Sequence, residues 1–296
     1  MGLRVHLLGS IFLCNRSILF AILLSSAFVS CRAQPLTTQA PLTRHKLVQR
    51  ALADTSFDWQ RHTTRHFQLY AVAGSYAADH LPALGERSEK ALAANLQLLG
   101  SPTYPRLPMY LVFVSSRPEL TRLVGQPGGG YAEPAEDSAF FVASPTGIPS
   151  IPLRHELMHV LSFGLWGQPA QPEAWIVEGL GTLAPGRCGS YSLHQLAAAL
   201  TDEGRLVPLD TLLQYTYAET DDVVIYAESG SFLAFVHERH GPAAIRRIWQ
   251  QGLKQTAAYL GTTPSALEAA WRARVAAIPA PDRRVDWGQI RTKGCE

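Results

Sequence analysis

The chain predicts an α+β fold, in which a small mixed sheet and a histidine-bearing helix form one lobe, packed against a C-terminal helical lobe. Three observations carry that reading. Short runs rich in β-branched and aromatic residues are confined to residues 66–144. From Pro152 onward apolar residues recur at helical spacing, with prolines near segment starts and glycines near their ends. A content of 47% hydrophobic and 17% charged residues belongs to a chain that buries a core, not to a disordered one. The length of 296 residues suits one large domain or two small lobes. A formal charge of +2, with no basic stripe, argues against a nucleic-acid partner.

Residues 1–33 read as a signal peptide or lipoprotein signal. The apolar run "SILFAILLSSAFVS" follows Arg16; it is short for a membrane span and suited to an export signal. Two processing readings stand. "FVSC" resembles a bacterial lipobox, which would place a lipid on Cys31, although Phe28 stands where leucine is usual. The other is ordinary cleavage near Ala33. Either one exports the protein, to the periplasm, the cell envelope or the medium, and a lipidated Cys31 would tether it to a membrane without spanning it. Residues 34–55, with Pro35, Pro41 and several threonines, read as a linker.

Residues 56–165 form the mixed lobe. "HFQLYAV" alternates as a strand does. "YAADHLPALGERSEKALAANLQLLG" is helical, regular from Pro82 and stopped by Gly100. "LPMYLVFVSS" is a short apolar run suited to a buried strand. "VGQPGGGYAEP" reads as a glycine-rich loop; lacking the lysine and the strand–helix setting of a phosphate loop, it gives no reason to expect a nucleotide. "SAFFVAS" is a further strand. "LRHELMHVLSFG" closes the lobe as a helix, with Pro152 in its first turn and Gly164 just past its end.

Residues 166–280 read as helices throughout. Pro172 opens "PEAWIVEGLGTL", and "SLHQLAAAL" follows. "DDVVIYAESGSFLAFVHERHG" closes at Gly241, and "PAAIRRIWQQG" comes next. The last has Thr263 as cap and Pro264 as first helical residue. Residues 281–296 read as a tail.

The chemistry sits in "LRHELMHVLSFG". Residues four apart share a helix face, so His155 and His159 present their imidazoles side by side, as two ligands of one zinc ion must. Glu156 is turned about 100° away. The pattern H-E-x-x-H has a mechanism attached: bound zinc acidifies a water, and the glutamate takes its proton. A catalytic zinc needs a third protein ligand and an open position. Glu178, on the next helix with eighteen residues between it and His159, is the favoured third ligand. Glu173 competes, but at a helix start it also serves the helix dipole. The longer all-histidine motif would need Gly at 162 and His at 165, where the chain has Ser162 and Leu165. No G-x-S-x-G surrounds Ser162, so it is no nucleophile. His194, His237 and His240 read as surface or helix-end residues.

Of four cysteines, Cys14 and Cys31 belong to the targeting region. Cys188 and Cys295 remain. In an oxidising compartment they can form a disulfide that holds the tail beside the middle of the chain; two free thiols is the other reading.

"LRHELMHVL" followed by "AWIVEGLGTL" resembles the gluzincin zinc metallopeptidases, the broad peptidase MA-like group. Trp175, Glu178 and Gly179 match the family's tryptophan before the third ligand and its E-G pair; Gly181 replaces the usual alanine, and Thr182 falls where some members carry aspartate. "YAESGSFLAFVHERHG" is similar to the tyrosine-bearing helix of these proteins, and "GTTPSALEAAWRARV" to their C-terminal helix. "HFQLYA", "LPMYLVFVSS" and "GGGYAEP" match more loosely. The resemblance implies a zincin-like fold, Zn2+ held by His155, His159 and Glu178, Glu156 as general base, and a peptide or protein substrate. It also implies Tyr226 as hydrogen-bond donor to the developing oxyanion, and the strand 138–144 as the sheet edge that receives an extended peptide. A non-catalytic zincin-fold envelope lipoprotein, acting as a binding module, is the alternative; the intact Glu156 speaks against it.

Overall fold

The computed structural model describes residues 44–147, 150–170, 174–214 and 222–296. The export signal, Cys31, the first part of the expected linker and Glu173 lie outside the described residues.

The linker reading fails at its end. Lys46–Leu52 is a helix (α1) that buries Val48 and Ala51. Its Leu47 N–H donates to the Glu136 carboxylate at 2.8 Å. After it come strands β1 (Trp59–Thr63) and β2 (Phe67–Val72), a short helix α2 (Tyr76–Asp79) and the long helix α3 (Leu81–Leu99). Pro82 lies in the first turn of α3, and Gly100 caps it in the left-handed region at φ 64°. Strand β3 (Met109–Val114), helix α4 (Arg117–Val124), and strands β4 (Gly130–Glu133) and β5 (Ser138–Val142) complete the first half.

The sheet runs in the order β1-β2-β3-β5-β4. The β2–β3 and β3–β5 pairs are parallel, and β1 and β4 pair antiparallel with their neighbours at the two edges. Every residue of β3 is buried because both faces are covered. Leu111 and Phe113 face the main core with Phe67, Leu69 and Phe141; Val112 and Val114 face a second cluster that α1 and α4 supply through Val48, Ala51, Leu120 and Leu123. Strand β1 escaped sequence reading because "WQRHT" is a half-exposed edge with little alternation.

Two sequence expectations about this half are corrected. The last part of the glycine-rich stretch is not loop but the edge strand β4. The stretch 138–144 is not the sheet edge, since β5 lies between β3 and β4.

Helix α5 (Leu153–Trp166) carries both histidines, and α6 (Ala174–Leu183) follows it. Gly164 lies inside α5, not beyond it. The Tyr104 ring passes over it, so closely that a Cβ at 164 would sit 2.2 Å from the Tyr104 hydroxyl. That hydroxyl donates to the buried Asp137 carboxylate, which Arg106 pairs at 2.9 Å, so the turn into β5 is tied to the helix. Gly167, at φ 76°, makes the actual cap through its N–H to the Phe163 carbonyl at 3.0 Å.

The short hairpin β6 (Arg187–Cys188) and β7 (Tyr191–Ser192) leads to α7 (Leu193–Asp202), whose start Ser192 and Gln195 close as a reciprocal capping box. Then come α8 (Leu209–Leu212) and α9 (Asp222–Gln251), the latter broken at Gly241 (φ 71°) just before Pro242. The sequence marks that break correctly. Helices α10 (Leu253–Tyr259), α11 (Pro264–Ala276) and α12 (Trp287–Lys293) finish the chain. Thr263 caps α11 by accepting the Ala266 N–H at 3.1 Å. One apolar core runs from the sheet through α5 and α6 into α9 and α11, and Pro41–Glu296 forms one compact unit.

His194 is not a surface residue. It is buried, with Nδ1 2.8 Å from Ser231 Oγ and Nε2 3.3 Å from Glu238. Ser231 also accepts the Trp271 indole N–H at 3.0 Å. The Glu238 carboxylate can only accept, so in the neutral ring the hydrogen sits on Nε2, and Nδ1 accepts the Ser231 hydroxyl hydrogen. The chain of bonds joins α7, α9 and α11.

Candidate metal centre

One turn apart on α5, His155 and His159 hold their rings 4.7 Å apart, nearly perpendicular at 85°. Glu178 arrives from α6. Its Oε2 lies 3.1 Å from His155 Nε2 and 3.6 Å from His159 Nε2. One ligand atom from each of the three residues falls within 4.8 Å of the others. Two imidazole nitrogens and a carboxylate oxygen converging this closely form a donor set that can hold a divalent metal ion. Burial would raise the Glu178 carboxyl, but His159 and His155 outweigh it and hold the group well below the usual carboxylate range. The carboxylate is thus in the charged form a cation needs.

Close packing sets this geometry. A Cβ at Gly181 would lie 2.7–2.9 Å from the Cε1, Nδ1 and Nε2 atoms of His155. The missing Cβ at Gly181 is therefore what lets the His155 imidazole lie close against α6. Gly181→Ala is expected to push His155 off the shared point and weaken divalent-metal binding roughly 10–100-fold, the range seen when the surroundings that orient a ligand are disturbed. Titration with a divalent ion against a chromophoric chelator checks this; an unchanged affinity would show that the ring has another place to go.

Glu156 points into the same region from the next position on α5 and is buried. Burial pushes its carboxyl up to about 7; His155 counters this, while the Glu178 and Glu296 charges add to it. Edge strand β4 runs directly against it, since a Cβ at Gly130 would meet Glu156 Oε1 at 2.6 Å and Pro152 Cγ at 2.7 Å. Tyr226, from α9, places its ring 5.9 Å from that of His155, at 83°. A cleft of about 440 Å³ opens here, lined by Gly128–Gly130, His155, Glu156, Thr182 and Tyr226 on one part of its wall. All five site residues expected from sequence thus meet at one place.

Two supporting residues were not expected. Asn95 of α3 is buried and donates to the Arg154 carbonyl at 2.8 Å, while Arg154 Nε donates back to Asn95 Oδ1 at 3.1 Å. Its signal was present: Asn95 shares the apolar stripe of Ala91, Leu92 and Leu99, where a polar side chain calls for a partner. The second is Glu296, whose carboxylate accepts the backbone N–H groups of Arg154 at 3.0 Å and His155 at 2.8 Å. Nothing in the sequence marks it except the neighbouring Cys295, which is disulfide-bonded to Cys188. His159 Nδ1 is buried without a hydrogen-bond partner among the described residues.

Compared with known proteins, the chain matches no family model and no curated protein.

Proposed function

We propose that this protein is an exported zinc metallopeptidase of gluzincin type with a zincin-like fold, its ion held by His155, His159 and Glu178. The observation that carries the reading is the meeting of these three ligands beside a buried Glu156 beneath a sheet edge, with His155 and Glu156 lining one cleft. Zinc bound there would polarise a peptide carbonyl and make a water acidic near neutral pH. Glu156, raised by burial, is suited to accept that water's proton and to pass it to the leaving amine. Tyr226 is on the same wall and serves to hydrogen-bond the carbonyl oxygen as charge develops there.

The substrate, an extended peptide, lies along β4, not β5. Strand β4 is the edge, and its Gly130 is the residue that touches Glu156. The Cys188–Cys295 disulfide supports export to an oxidising compartment. No helix among the described residues is long and apolar enough to cross a membrane, so a membrane attachment would rest on a lipidated Cys31.

Metal analysis of the purified mature protein, with a peptide-library digest, tests this. About one zinc per chain is expected, with peptide cleavage that a chelator stops and added zinc restores. A chain that takes up no zinc when loaded removes the reading altogether. Zinc without cleavage leaves a metal-binding module and removes the enzyme.

A further inference from the structure

Helix α12 and the residues after it form a second wall of the cleft, through Ile290, Arg291, Gly294, Cys295 and Glu296. Two backbone bonds fasten this segment: Ser150 N–H to the Lys293 carbonyl at 2.7 Å, and Gly189 N–H to the Cys295 carbonyl at 2.8 Å. The disulfide to Cys188 fastens it covalently, across 107 residues of sequence. Glu296 follows Cys295 directly. Its two carboxylate oxygens each accept one backbone N–H from the first turn of α5, and one of those belongs to the ligand His155 itself.

The first N–H groups of a helix have no partner within it. A carboxylate across two of them fixes both position and orientation of that turn, and it favours the positive end of the helix dipole. We propose that Glu296 is a positioning residue of the metal site, held in place by the Cys188–Cys295 disulfide, so that the zinc affinity of His155, His159 and Glu178 depends on both. This deepens the metal-centre reading and rests on it. Asn95 holds the same turn through the Arg154 carbonyl, so the turn is gripped from two sides and loosens on one when Glu296 is lost.

The test compares the full mature chain with Glu296→Ala, Glu296→Gln, the pair Cys188→Ser with Cys295→Ser, and all three positions changed together with alanine at 296. Zinc affinity is measured by chelator competition, and amide exchange of the metal-free proteins is followed residue by residue. Glu296→Ala is expected to lose roughly 10–100-fold in affinity, the range for an outer partner of a ligand. The serine pair should lose a similar factor. The combined variant should be no weaker than either alone, because both act through one contact. Exchange at Arg154 and His155 should quicken while the core amides of β3 stay protected, a pattern that general destabilisation does not produce. Glu296→Gln keeps the size but offers one acceptor oxygen, so it should fall between wild type and alanine and stands in if the alanine variant fails to fold.

Zinc affinity within about threefold of wild type in a folded Glu296 variant overturns the proposal and leaves the metal centre standing. Losses that multiply in the combined variant overturn the dependence of Glu296 on the disulfide. A wild-type chain that binds no zinc overturns the metal centre and the proposal together.

Discussion

Glu156→Gln is expected to lower kcat for peptide cleavage by roughly 10²–10⁴-fold, the usual contribution of a positioned general base, while zinc per chain stays at the wild-type level. The separation follows from where the side chain sits. Glu156 is not one of the three converging ligands, and glutamine has nearly its size, so it fills the space under Gly130 without moving the strand. What disappears is the oxygen that can take a proton. Because burial raises the Glu156 carboxyl, with the Glu178 and Glu296 charges adding to it, the group binds protons more readily than an exposed glutamate would. A nearby cation pulls in the other direction. The acid limb of the pH–rate profile should therefore report this carboxyl and vanish with its replacement. Zinc content by mass spectrometry, with initial rates on a cleaved library peptide, makes the measurement. Residual activity within tenfold of wild type would remove Glu156 from the mechanism.

The second expectation concerns stability and lies away from the cleft. Glu228, on α9, is fully buried. One carboxyl oxygen accepts the Val207 N–H at 3.1 Å; the other has no partner among the described residues. Burial dominates and Glu268 adds to it, against the Val207 bond and Arg272, so the carboxyl is pushed up to about 8. The folded value is above the unfolded one, which sets the sign. Below about pH 4.5 both states carry the proton and the group is neutral in its effect. As pH rises, the unfolded chain ionises and the folded carboxyl does not, so stability falls by about 1.4 kcal/mol per unit until the folded group ionises near pH 8. The total is on the order of a few kcal/mol. Glu228→Gln removes the titration and keeps the Val207 bond. It should match wild type at pH 5 and be more stable at pH 9, by on the order of 10 °C in melting temperature for a chain of this size. Melting curves of the two proteins that stay parallel from pH 5 to 9 would show that water reaches the carboxyl.

Local rules made much of this protein legible. Helix α3 stops at Gly100 and α9 breaks at Gly241 because each needs a positive φ that glycine adopts freely. Strand β3 reads as an uninterrupted apolar run because it is buried on both faces. His155 and His159 share a face because a helix turns 3.6 residues at a time, and no partner is needed to know it. Other elements carry no such mark. Edge strand β1 is half-exposed, so its residues need not alternate; β4 is a four-residue strand directly after Gly128 and Gly129, a stretch that sequence reads as loop. Gly164 resembles a helix stop until the Tyr104 ring is placed over it. His194 reads as a surface or helix-end residue; it does sit in the first turn of α7, but only the fold shows it buried beside Ser231.

Spacing along the chain was thus enough for the two histidines, the neighbouring Glu156 and the candidacy of Glu178, since these depend on helix geometry and residue type. Folding was needed to bring Glu178 to the imidazoles, to make β4 the edge above Glu156, and to set Glu296 on the amides of Arg154 and His155. Those contacts join residues 19 or more positions apart through packing between elements. A periodicity within one element says which way a side chain faces, but not what will face it.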